Sequence, residues 1–119
     1  MSYSAAFKDH LANPRNVGEL ENPTAIAEET NPVCGDRVRL SLSVADGRIL
    51  AARFLAYGCP PTLVCSSVLT ELLSGMPVTD AEKLTRAELI DRVGGLPTRK
   101  HHAAALALET LRTTLKQLR

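Results

Sequence analysis

Arg37-Val38-Arg39-Leu40-Ser41-Leu42-Ser43-Val44, then Ala45-Asp46-Gly47, then Arg48-Ile49-Leu50-Ala51-Ala52-Arg53-Phe54-Leu55-Ala56-Tyr57, is the stretch that decides the fold. Val38, Leu40, Leu42 and Val44 alternate with Arg37, Arg39, Ser41 and Ser43, the period of a strand with one apolar and one wet face. Asp46-Gly47 is a two-residue hairpin turn whose glycine tolerates positive φ. Arg48 to Tyr57 is then the return strand, long enough to pair along its partner. Counting outward from the turn places the chain before Arg37 beside the chain after Tyr57. Cys34 and Cys59 therefore lie at the same end of the hairpin, as a consequence of register alone.

Cys59 sits in Tyr57-Gly58-Cys59-Pro60-Pro61, where the return strand gives way to a helix expected over residues 60–74. Paired prolines suit a first helical turn, where a missing N–H costs nothing. The N–H groups and positive dipole end of that helix favour a thiolate, the form that binds metal or attacks sulfur. Cys65, Val68, Leu69, Leu72 and Leu73 share one side of this helix, and Gly75 and Pro77 close it. Cys65 lies on that apolar side, so it reads as a core cysteine; a Cys59–Cys65 redox pair is the minority alternative.

Upstream, residues 3–12 read as a short amphipathic helix with Phe7 and Leu11 at i and i+4, ended by Pro14. Asn13-Pro14-Arg15-Asn16-Val17-Gly18 and Asn22-Pro23 are breaks, and residues 24–30 form a short edge strand. Downstream, Thr79 to Val93 holds two short helical pieces. Thr79 and Thr85 are their expected N-caps, each followed three residues later by Glu82 or Glu88. Gly94-Gly95 is a stop. A last helix spans about Thr98 to Leu118, with Ala104, Leu108, Leu111, Leu115 and Leu118 as its apolar stripe. Three strands followed by helices predict an α+β fold, a three-stranded antiparallel sheet with helices packed on one face and a long C-terminal helix.

The 119 residues are expected to form one domain spanning 1–119, with no repeat or linker. Fourteen basic against thirteen acidic residues leave a net charge of +1, which calls for neither nucleic acid nor a membrane surface. No run is long and apolar enough for a bilayer, and no signal-peptide core opens the chain, so a cytoplasmic location is expected. Three cysteines in a reducing compartment do not suggest a disulfide framework.

Cys34-Gly35-Asp36 puts a soft thiolate and a carboxylate two residues apart, able to point at one ion. The plainer alternative is a loop cysteine beside an aspartate that satisfies turn N–H groups. His101 and His102 open the last helix. Neighbours on a helix point about 100° apart, so at most one faces a shared ion. The stripe alone would bury His101 and set His102 on its flank, while a surface pair is the plainer reading. Arg92, Arg99, Lys100, Arg112, Lys116 and Arg119 read as a solvated helical face. No phosphate loop, Ser-His-Asp set or paired-carboxylate spacing stands out.

Taken in order, Asp9-His10, Asn13-Pro14-Arg15-Asn16-Val17-Gly18, Cys34-Gly35-Asp36, Ala52-Arg53-Phe54, Tyr57-Gly58-Cys59 and Leu96-Pro97-Thr98-Arg99-Lys100 resemble the iron–sulfur cluster assembly scaffold family of the IscU/NifU N-terminal type. The resemblance covers essentially the whole chain. It implies a scaffold that receives persulfide sulfur from a cysteine desulfurase, and iron, and builds a [2Fe–2S] cluster for iron–sulfur acceptor proteins. Such proteins also hold Zn²⁺ at the same site. By the same match, Cys34, Asp36, Cys59 and His102 are the implied ligands of the cluster or metal.

Departures accompany the match. The family reads Leu-Pro-Pro-Val-Lys-Ile-His-Cys before the last helix, so its third cysteine falls on Ala103 and is missing. Cys65 matches a serine position and does not obviously replace it. The change to Pro97-Thr98-Arg99 weakens the match to the segment presented to a dedicated Hsp70-type chaperone. Pro60-Pro61 stands where the family has Gly-Ser. The expected function is a divergent cluster-assembly scaffold, not an enzyme, binding a [2Fe–2S] cluster or iron or zinc. The alternatives are a zinc-dependent sulfur-transfer protein working with a desulfurase, and a metal-free regulatory interaction module of the same fold.

Overall fold

The hairpin closes as its sequence dictates. Asp46 and Gly47 both take positive φ, 54° and 73°, and join β2 (Arg37–Ala45) to β3 (Arg48–Tyr57) with Ala45 opposite Arg48 and Arg37 opposite Tyr57. The computed structural model describes residues 3–118. One irregularity between Ser43 and Val44 leaves Leu50 without a partner, so it bulges from β3 and stays exposed. β1 (Ala25–Thr30) pairs antiparallel with β2, giving the order β1-β2-β3 with β1 at an edge. That edge is clasped by a side chain: the Gln117 amide donates to the Ile26 carbonyl and accepts from the Ile26 N–H.

The helices are α1 (Ala5–Ala12), α2 (Pro60–Leu73), α3 (Val78–Ala81), α4 (Arg86–Arg92) and α5 (His101–Lys116), the last entered through a 3-10 turn at Thr98–Lys100. This is the expected α+β architecture, with α2 against β3 and α5 against β1 and β2. Leu40, Leu42, Ile49 and Ala52 from the sheet meet Val64, Leu69 and Leu73 of α2 and Ala104, Leu108, Leu111 and Leu115 of α5. Among the described residues no helix is long and apolar enough to cross a membrane.

Several local expectations are corrected. α1 buries Phe7 and His10, while Leu11 is 42% exposed. The His10 ring meets the buried Ser67 hydroxyl at 2.7 Å, and that bond turns the helix face. Ser41 is buried although it belongs to the nominally wet face, because the 16–20 segment crosses there and the Leu20 N–H donates to its hydroxyl. α3 starts at Val78 with Pro77 as its N-cap, so Thr79 is not a cap. Thr85 does cap α4, in a reciprocal capping box with Glu88.

α2 departs most from its expected form. Its apolar side is buried, but so are Thr62, Ser66, Ser67 and Thr70. Hydroxyls on a helix can be satisfied by their own backbone, and Ser66 donates to the Thr62 carbonyl and Thr70 to the Ser67 carbonyl, each at 2.8 Å. So α2 runs through the interior of the domain, between β3 and helices α1, α4 and α5.

Candidate metal centre

Three separate stretches of chain deliver polar donors to one end of the hairpin. The first is the loop between β1 and β2, closed by two backbone bonds, Asn31 N–H to Asp36 O at 2.8 Å and Gly35 N–H to Asn31 O at 2.7 Å. It carries Cys34, exposed, and Asp36, only 5% exposed. The second is the junction of β3 and α2, where Cys59 is the N-cap residue and Pro60 and Pro61 fill the first turn. The third is the start of α5, carrying His102.

The ligating atoms of Cys34, Asp36 and His102 all lie within 4.8 Å of one another. Cys59 adjoins the same groups: its Sγ is 3.3 Å from Asp36 Oδ2 and 3.9 Å from His102 Nε2. His102 Nε2 is 3.8 Å from Asp36 Oδ2. The sulfur of Cys59 makes no capping hydrogen bond to its helix. The helix N-terminus therefore positions Cys59 but does not hold its thiol, contrary to the expected N–H contact.

Asp36 is the hub. Burial disfavours its charge, yet hydrogen bonds from Thr62, Cys59 and Cys34 and the nearby His102 outweigh that, and its pKa lies below the ordinary 3.8. The strongest of these contacts is the Thr62 hydroxyl donating to Oδ2 at 2.8 Å. The backbone makes room for the carboxylate at Gly58. Its φ is 147°, and a Cβ there would collide with Asp36 Oδ1 and Cγ.

The two histidines are separated by their carbonyl partners. His101 Nε2 meets Leu96 O at 3.0 Å, outside the cluster, whereas His102 Nδ1 meets Arg99 O at 3.2 Å. A carbonyl only accepts, so Nδ1 of His102 carries a proton, and Nε2 is the ring nitrogen that faces Cys59 and Asp36. The remaining candidate, Cys65, is fully buried, and burial pushes its thiol up to about 12. It is a core residue with no thiolate to offer at neutral pH. Ala103 is likewise buried in the core.

Two thiols, one carboxylate and one imidazole fit a thiophilic ion or an iron–sulfur cluster by donor chemistry. An open groove lined by Asn31, Val33, Cys34 and His102 leads from this cluster to solvent. Sequence reasoning missed Thr62, since a threonine three residues after a cysteine carries no signal of its own. It also missed the glycine requirement at Gly58, which depends on where Asp36 lands.

Comparison with known proteins places the chain in a family. The model of the NifU-like N terminal domain matches residues 2–119. The chain is 38% identical to iron-sulfur cluster assembly scaffold protein IscU 1 of Archaeoglobus fulgidus over 113 residues, covering 95% of this chain and 74% of that protein. It is 38% identical to the IscU scaffold protein of Aquifex aeolicus over 116 residues, covering 96% and 74%. In fold it is similar to the N-terminal part of a NifU-like protein from Brucella abortus, with a TM-score of 0.81 at 16% identity over 97% of this chain and 92% of that one. From the domain match and these identities, the chain belongs to the NifU-like N-terminal domain family.

Proposed function

We propose that this protein is an iron–sulfur cluster assembly scaffold, holding its cargo at Cys34, Asp36, Cys59 and His102 for transfer to acceptor proteins. The observation that carries the reading is the convergence of these four groups from three chain segments in a member of this family. Each group has a separate task. Cys34, exposed at the groove, is the point of entry for iron and for sulfur delivered as persulfide by a cysteine desulfurase. Cys59, half-buried, is the inner thiolate. Asp36 supplies a hard oxygen that a soft cargo releases readily, and His102 supplies a neutral nitrogen. The protein holds and passes on its cargo without turning over a substrate. A reducing, cytoplasmic setting suits it, because oxidation of Cys34 or Cys59 would remove its soft donors.

The compact Cys34, Asp36 and His102 group suits a single ion as well as a [2Fe–2S] cluster, which makes Zn²⁺ the second candidate occupant. Anaerobic reconstitution with iron, sulfide and reductant decides between them. Visible absorbance of a cluster that Cys34→Ala abolishes supports the scaffold. Stoichiometric zinc without cluster uptake moves the reading to zinc-dependent sulfur transfer, and retention of neither leaves only an interaction module.

A further inference from the structure

Asp36 accepts hydrogen bonds from the Thr62 hydroxyl and the Cys59 thiol, and the Cys34 thiol lies within 4.8 Å of its carboxylate. A thiol that ligates a metal does so as thiolate, with no proton left to give. When Cys34 and Cys59 take up metal, the hydrogen bond from Cys59 to Asp36 therefore vanishes. The bond from Thr62 persists. Its hydroxyl is fully buried in the first turn of α2, where water cannot replace it, and it carries a single proton. It donates that proton to Asp36 Oδ2, 2.8 Å away, the oxygen that also faces Cys59 and His102. Cys59 Sγ lies 3.4 Å from the same hydroxyl, so Thr62 touches two of the candidate ligands from behind.

We propose that Thr62 is a positioning residue whose hydroxyl keeps Asp36 Oδ2 aimed into the metal centre, and so sets how tightly a bound ion is gripped. The inference rests on Asp36 being a ligand, as proposed above. Outer-shell partners of this kind typically change metal affinity by about 10–100-fold. Thr62→Val keeps the shape and removes the hydroxyl, Thr62→Ser keeps the hydroxyl, and Asp36→Ala removes the group through which Thr62 acts.

The experiment titrates Zn²⁺ alone, against a chromophoric chelator, into the wild type and these variants, with Co²⁺ absorbance as a second readout of ligand number. The expected result is a Kd raised about 10–100-fold in Thr62→Val and restored in Thr62→Ser, with a Co²⁺ ligand-field band weakened in Thr62→Val and not in Thr62→Ser. In the Asp36→Ala background, Thr62→Val should change nothing further. Equal zinc affinity in wild type and Thr62→Val overturns the inference while leaving the metal centre intact. An equal loss from Thr62→Val with and without Asp36 overturns it too, since Thr62 would then act on Cys59 or on the fold. Failure of the wild type itself to bind zinc or cobalt overturns the metal centre, and the role of Thr62 with it.

Discussion

Gly58→Ala is the sharpest perturbation available, because one methyl group acts on both the backbone and the candidate metal centre. Gly58 has φ 147°, a region that L-residues rarely adopt, and holding alanine there costs about 1–3 kcal/mol. The new Cβ would also collide with Asp36 Oδ1 and Cγ, so the carboxylate must move. Moving it breaks the Thr62–Asp36 hydrogen bond, a buried bond to a charged group worth about 1.5–3 kcal/mol. The two costs overlap, since relaxation that relieves one relieves part of the other, and a net loss of about 2–4 kcal/mol is expected. For a chain of this size that corresponds to a melting temperature lower by about 10–15 °C. Urea unfolding followed by circular dichroism measures the loss directly. The mechanism is tested by repeating the substitution in Asp36→Ala, which lacks the carboxyl atoms the methyl strikes. There Gly58→Ala should cost about 1–2 kcal/mol less. A loss below about 1 kcal/mol, or the same loss in both backgrounds, would refute the claim that Gly58 exists to admit Asp36.

Three further outcomes are expected. Cys59→Ala should weaken zinc binding by more than the about 100-fold that outer-shell partners reach, as read by metal analysis of purified protein and by chelator competition. Thr85→Ala removes half of the capping box of α4 and should cost about 0.5–2 kcal/mol in urea unfolding, with an unchanged slope. Asp36 has a native pKa below 3.8, so the folded metal-free protein binds fewer protons there than the unfolded chain. The stability Asp36 contributes is therefore present above about pH 4 and is lost as the pH falls through its native pKa. Asp36→Asn should flatten the acid limb of the stability curve measured by urea unfolding between pH 5 and pH 2, both endpoints being approximate.

Much of the fold was legible because its strongest signals are local. The alternation from Val38 to Val44 and the Asp46-Gly47 turn fix the register, and register carries Cys34 and Cys59 to the same end. The stripe on α5 was equally plain, and Ala104, Leu108, Leu111 and Leu115 are all buried. What sequence could not reveal depends on groups meeting across the fold. Leu11 reads as core, yet His10 takes its place by bonding Ser67, 57 residues away. Ser66, Ser67 and Thr70 are polar, yet they are buried, the first and last bonding their own helix. At the candidate metal centre the order of cysteines and aspartate was readable, but which of His101 and His102 faces it was not. In the fold His101 turns to the Leu96 carbonyl, while His102 bonds the Arg99 carbonyl and faces Cys59 and Asp36.

The burial of Cys65 has a practical consequence. The chain contains three thiols in three states: Cys34 open to solvent, Cys59 half-covered and Cys65 sealed in the core. With its thiol pushed up to about 12, Cys65 can react with an alkylating reagent only when α2 comes away from its neighbours. The chain thus carries its own clock. In excess reagent two thiols are consumed promptly, and the third disappears at the rate at which the interior opens. Bound metal, by shielding Cys34 and Cys59, would slow the first two. If it also slows the third, loading the site steadies the helix on which the whole domain is packed.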